Sequence, residues 1–118
     1  MKENLIQNKS FEFSLNIIKL YKSLKTQSEY DIARQLLRSG TSIGANIEEA
    51  IGAQSKKDFF SKLSISLKEA RETYYWLRLL EKSEMLEKEY VSLLEDNVSL
   101  INILSSIVKT LKKELYKE

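Results

Sequence analysis

Ser39-Gly40-Thr41-Ser42-Ile43-Gly44-Ala45-Asn46 is the stretch on which the fold turns. Its glycines and hydroxyl residues read as a loop by propensity, and Asn46-Ile47-Glu48-Glu49 has the form of a cap for a new helix. Its phase says otherwise. Ile32, Leu36, Ile43, Ile47 and Ala50 keep one helical register straight through it. Phase reports a buried face, whereas propensity is a weak local prior that tertiary contacts override. The reading is therefore a single helix opening near Ser28, where Ser28-Glu29-Tyr30-Asp31 has the form of a capping box with Asp in place of Glu. Gly40 and Gly44 then serve to let a neighbouring helix approach closely.

Three further helices follow from the same periodicity. One runs from about Ser10, as N-cap, to Lys25, with Phe13, Ile17, Leu20 and Leu24 as its stripe and Phe11, Leu15 and Ile18 widening it. Another opens on the cap Ser55-Lys56-Lys57-Asp58 and runs to about Lys82. Its seam is Phe60, Leu63, Leu67, Ala70, Tyr74 and Leu77. The last runs from about Glu87 to Tyr116 on Tyr90, Leu94, Asn97, Ile101, Leu104, Val108, Leu111 and Leu115, flanked by Leu93, Leu100 and Ile107. The linkers near 26–28, 52–54 and 83–86 are short, which makes sequence neighbours antiparallel. The chain reads as all-α, one domain over 1–118, an up-down-up-down four-helix bundle. Apolar rows on the third and fourth helices beyond what one core needs point to a second buried face and self-association.

Composition narrows the chemistry. The 118 residues contain no Cys, no His and no Pro. That removes disulfides, thiolate nucleophiles, Cys/His zinc sites, imidazole bases and the Glu-x-x-His pairs of di-iron bundles. No cofactor is expected. No apolar run reads as a membrane span, and Met1-Lys2-Glu3-Asn4 leads into a polar segment rather than a secretion signal, so a cytoplasmic protein is expected. Gly40 to Gly44 lacks the Gly-Lys-Ser/Thr ending and the preceding strand of a phosphate loop. Ser106-Ile107-Val108-Lys109 lacks the partner motifs of the penicillin-binding enzymes.

Two polar groupings remain. Asn46, Glu49 and Glu72 lie close to apolar faces of the second and third helices. Paired carboxylates can do acid–base work when their environments split their pKa values. With no His beside them, the expectation is an inter-helix network fixing pairing and register, and no catalytic residue. The net charge is only +2, but it is uneven: residues 53–82 carry seven Lys/Arg against four acids, and residues 83–118 carry five against seven. Lys56, Lys57, Arg34 and Arg38 are the expected phosphate contacts, with Lys62 behind them. Repetition in a ring would add such contacts. Tyr74-Tyr75-Trp76 cannot form one stacking platform, because consecutive helix positions point about 100° apart. A non-catalytic nucleic-acid binder and a protein scaffold docking a nucleic-acid enzyme both fit this pattern.

Ser42-Ile43-Gly44-Ala45-Asn46-Ile47-Glu48-Glu49-Ala50, then Ser55-Lys56-Lys57-Asp58-Phe59, resembles the signature of the four helix bundle proteins, also known as the 23S ribosomal RNA intervening-sequence proteins. Their usual pattern is Ser-Ile-Pro-x-Asn-Ile-Ala-Glu-Gly, followed by Ser-Lys-Lys-Glu-Phe. Leu67-Lys68-Glu69-Ala70-Arg71-Glu72-Thr73-Tyr74-Tyr75-Trp76-Leu77 is similar to a subgroup's Glu-Ala-x-Glu-Thr-x-Tyr-Trp-Leu. Gly44 stands where the family often has Pro, and Ala50 where it often has Gly. The resemblance implies a homopentameric ring, a bacterial origin, no enzymatic activity and no residue-level site. It also implies kinship with the accessory proteins of diversity-generating retroelements, which bind nucleic acid and a reverse transcriptase.

Overall fold

The structure, a computed structural model, describes residues 2–117. It has four α-helices: α1 (Lys2–Thr26), α2 (Asp31–Ile51), α3 (Lys56–Lys82) and α4 (Ser92–Leu115), with one 3-10 turn at Lys88–Tyr90 before α4. Pairs between helices set their directions. Gln7 bonds Glu48 while Ile17 meets Gly40, so α2 runs against α1. Lys62 reaches Glu49 while Thr73 reaches Ser39, so α3 runs against α2. Asn97 bonds Ala70 while Lys56 reaches Glu114, so α4 runs against α3. Leu5 shares a cleft with Ile103 and Phe13 another with Leu100, so α4 returns alongside α1. The α1–α4 seam is much the sparser of the four. The up-down-up-down bundle measures 49 × 25 × 24 Å.

α2 passes through 39–46 as unbroken helix. A Cβ on Gly40 would come within 2.9 Å of two Ile17 carbons, so the glycine is what lets α1 close on α2. Gly44 lies against Ser10 and Ser14 of the same helix.

Helix ends correct two expectations. α1 begins at Lys2, and Ser10 is not its cap: it is buried in mid-helix, its hydroxyl donating to the Gln7 carbonyl. Ile6, Ser10, Phe13, Ile17, Leu20 and Leu24 make one continuous buried row, and the polar member hid its first two turns. Ser28 does not cap α2 either. It sits at φ 63° and closes α1, with Ser28 N–H donating to Lys25 and Glu29 N–H to Leu24, the paired bonds of a Schellman end. The Glu29 carboxylate accepts from Ile32 N–H and so satisfies the start of α2. Glu84, at φ 62°, ends α3 in the same way. The Ser55 cap is as read, its hydroxyl accepting from Asp58 N–H at 3.0 Å.

The seams of α3 and α4 are rotated from those expected. On α3 the buried row is Leu63, Ser66, Ala70, Thr73, Leu77 and Leu80; Leu67 and Tyr74 are only half-buried. Ser66 and Thr73 are small and find partners on α2, namely the Ile43 carbonyl at 2.8 Å and the Ser39 hydroxyl at 2.9 Å. On α4 the row is Leu93, Asn97, Leu100, Leu104 and Leu111. Of the expected seam, Asn97, Leu104 and Leu111 are in this row, while Tyr90, Leu94, Ile101, Val108 and Leu115 are half-buried on its flank and Leu93 and Leu100 move from flank to core. Segment 88–115 is, by length and composition alone, apolar enough to cross a membrane, contrary to the reading above. In the bundle, one row of it fills the core and the flanking rows line the outside.

Candidate nucleic-acid interface

Of the expected phosphate contacts, most face a carboxylate. Arg34 pairs with Asp31 at 2.8 Å on its own helix, with both side chains largely exposed. Such a pair is weak and readily exchanged. Arg38 is held harder. Its guanidinium spans α2 to α3, bonding Glu69 at 3.2 Å and also Glu72. The Glu72 hydrogen bond outweighs desolvation and raises the Arg38 pKa above its ordinary value. Lys56 pairs with Glu114 and ties the start of α3 to the end of α4. Lys62 pairs with Glu49 at 2.8 Å, a hydrogen bond that raises its pKa. Lys57 is exposed and has no ion pair among the described residues.

The expected network of Asn46, Glu49 and Glu72 is not one constellation. The Asn46 amide donates to the Ser42 carbonyl within α2. Glu49 and Glu72 each reach a cation on the facing helix, at levels about ten residues apart along α3, or roughly 15 Å. Burial works against the Glu72 charge, but hydrogen bonds from Trp76 and Arg38 prevail and hold the carboxyl below its usual value. A general acid needs the opposite shift.

The polar links inside the bundle lie elsewhere, at Ser39–Thr73, Ser66–Ile43 and Asn97–Ala70. All the side chains in them except Ile43 and Ala70 are polar and fully buried. The Asn97 side-chain oxygen Oδ1 has no hydrogen-bond partner among the described residues.

What the sequence reading passed over is a row on α3. Lys57, Ser61, Ser64, Lys68, Arg71, Tyr75, Arg78 and Lys82 recur at 4-3-4-3-4-3-4 spacing, on the side opposite the buried row. All but half-buried Ser64 are exposed. Its cations, Lys57, Lys68, Arg71, Arg78 and Lys82, make no ion pair among the described residues, and no acid interrupts the row. The row spans about 37 Å at 1.5 Å per residue. The row is legible in the sequence as a heptad of charge.

Above the second half of the row, Tyr75 and Trp76 meet edge to face, centroids 5.2 Å apart. Trp76 is half-buried in a groove of about 380 Å³ shared with Asp31, Ile32, Arg34 and Gln35. Its indole N–H donates to Glu72 at 3.0 Å. Arg78 lies 6.0 Å from the Tyr74 ring centroid.

A family model described as 23S rRNA-intervening sequence protein matches residues 2–106. Among solved structures, the chain is similar to a protein with unknown function from the S23 ribosomal protein family of Bacteroides thetaiotaomicron. The two are 50% identical over 92% of this chain and 99% of that one, with a TM-score of 0.87. No curated protein gives a significant match.

Proposed function

The chain belongs to the 23S rRNA-intervening sequence protein family, and from that premise we propose a non-catalytic, self-associating bundle that binds nucleic acid through backbone phosphates along the outer face of α3. One observation carries the reading: five cations with no ion pair among the described residues share one face of a single rigid helix over about 37 Å, and no acid interrupts their row. A solvated surface usually mixes both signs; this row has one, with Glu72 at its edge beside Lys68 and held by Arg38 and Trp76. Lys57 stays a phosphate contact. Lys68, Arg71, Arg78 and Lys82 replace Arg38 and Lys56, which are engaged elsewhere, and Arg34 stands beside the row.

The absence of catalysis is supported by the separation of Glu49 from Glu72 and by the depressed pKa of Glu72. Self-association is supported by the outer face of α1. Phe11, Leu15 and Ile18 stand on successive turns there, Phe11 being 61% exposed. A homopentameric ring, as the resemblance implies, would repeat the cation row around an axis. RNA and DNA are both polyanions that such a row fits.

The test is anisotropy with labelled RNA and DNA over a salt series. Wild-type protein should show log K falling steeply with log salt. Lys57→Glu, Lys68→Glu and Lys82→Glu together should lower affinity about 100-fold at low salt. The same change should reduce the slope by roughly 2 to 3, one contact per cation removed. Unchanged affinity in the triple variant would sink the reading. The apolar face of α1 favours one second reading, a docking surface for another protein. A wild-type mass equal to the monomer, with a stoichiometric protein surviving nuclease treatment, would favour it.

A further inference from the structure

We infer that the α3 face takes single-stranded nucleic acid, with one base stacking on Tyr75 between the Arg71 and Arg78 guanidinium groups; this rests on the polyanion reading above. Tyr75 is 56% exposed, an unusual position for an aromatic ring on a charged face. Arg71 and Arg78 stand four residues before it and three after, so they flank it on the same face by one turn each way. Arg78 lies 6.0 Å from the Tyr74 ring centroid, within reach of a base laid on the exposed Tyr75 ring.

Tyr75 is also braced. The Trp76 ring contacts it edge to face at 65°, and Trp76 is itself fixed by its bond to Glu72 and by the groove on α2. Glu72 in turn is held by Arg38. The ring is therefore set in place before any ligand arrives, which lowers the entropy lost on stacking. Consecutive aromatics do point apart, and only Tyr75 presents a free face; Trp76 acts as its buttress rather than as a second platform.

The strand form follows from this pairing of ring and charge. In a duplex, bases are stacked inside and an exposed ring between two arginines meets nothing it can stack on. A single strand offers every base as a π-face while its phosphates follow the cations. A straight row on one convex helix also suits one backbone better than two that wind away from it. The site size expected is within the range of about 4–16 nucleotides found for single-strand platforms.

The experiment compares a short labelled oligouridine and oligothymidine with a duplex of matching length. Wild type should bind the single strands at least about tenfold more tightly than the duplex. Tyr75→Ala should lose about tenfold or more toward the single strands. Its salt slope should be unchanged, because no charge is removed. Tyr75→Phe keeps the ring and should stay within about twofold of wild type. Arg71→Glu with Arg78→Glu should lower both affinity and slope.

Equal affinity for duplex and single strand, or an unaltered Tyr75→Ala, overturns the inference and leaves the polyanion reading standing. No binding of either form at low salt overturns both. A changed assembly mass in Tyr75→Ala, measured by light scattering, would make Tyr75 an interface residue and overturn the inference as well.

Discussion

The outer faces of α1 and α3 stand at diagonal corners of one bundle, and their chemistry is opposed. α1 presents Phe11, Leu15 and Ile18 to solvent; α3 presents Lys57, Lys68, Arg71, Arg78 and Lys82. Their inner faces share the same architecture, a buried heptad row interrupted by hydroxyl residues, Ser10 on α1 and Ser66 and Thr73 on α3. The difference teaches that the core periodicity fixes where a helix sits and leaves its outer face free to take a partner. An apolar face gains by excluding water and suits another protein surface, including a second copy of this chain. A face of unpaired cations gains by releasing counterions and suits a polyanion.

Salt should separate the two faces most sharply. Raising salt from about 50 to about 200 mM should weaken nucleic-acid binding by one to several orders of magnitude. The assembly mass from light scattering should not move, because apolar contacts are not screened. Phe11→Glu with Leu15→Glu should do the reverse, reducing the assembly to monomer while circular dichroism stays helical. Dissociation of the wild-type assembly by salt would break the comparison, since α1 would then be held by charge.

The inner rows extend the comparison at a smaller scale. On α3, the Thr73 hydroxyl shares a hydrogen bond with Ser39 of α2, both fully buried. Thr73→Val leaves the Ser39 hydroxyl without that partner and should cost about 1–3 kcal/mol. On α1, the Ser10 hydroxyl has one partner among the described residues, the Gln7 carbonyl one turn back. That carbonyl keeps its helical role without it, so Ser10→Ala should change stability by less than about 1 kcal/mol. Chemical denaturation of both variants measures the difference. Equal losses would mean that the α2–α3 hydrogen bond contributes nothing beyond packing.

These residues also show how far the fold was legible. The path through Gly40 and Gly44 was readable because apolar phase survives a poor local propensity. The rotation of the α3 seam was not, because Ser66 and Thr73 carry no hydrophobic signal and enter the core only through partners on another helix. For the same reason Ser10 concealed the first two turns of α1. Among the candidate contacts, residue type identified cations but not their neighbours. Arg38 and Lys56 look as free as Lys57 in one dimension, yet Glu69, Glu72 and Glu114 come from other helices to meet them. The cation row was visible in spacing, and it took a known buried face to say that the row lies opposite.

The smallest effect expected concerns the brace beneath Tyr75. The folded-state pKa of Glu72 lies below its unfolded value: burial opposes its charge, but the Trp76 and Arg38 hydrogen bonds prevail. A carboxyl depressed in this way contributes stability at pH values above its unfolded pKa, about 4.3. That contribution is lost as pH falls through the lower folded value. Glu72 is about a third exposed, so solvent screens the pair and the loss should be slight. Melting temperature followed from about pH 5 to about pH 3 should therefore fall a little more steeply in wild type than in Glu72→Gln, which cannot titrate. The gap should narrow in high salt. Superimposed acid curves for wild type and Glu72→Gln would show that the Arg38–Glu72–Trp76 link positions Tyr75 without stabilising the bundle.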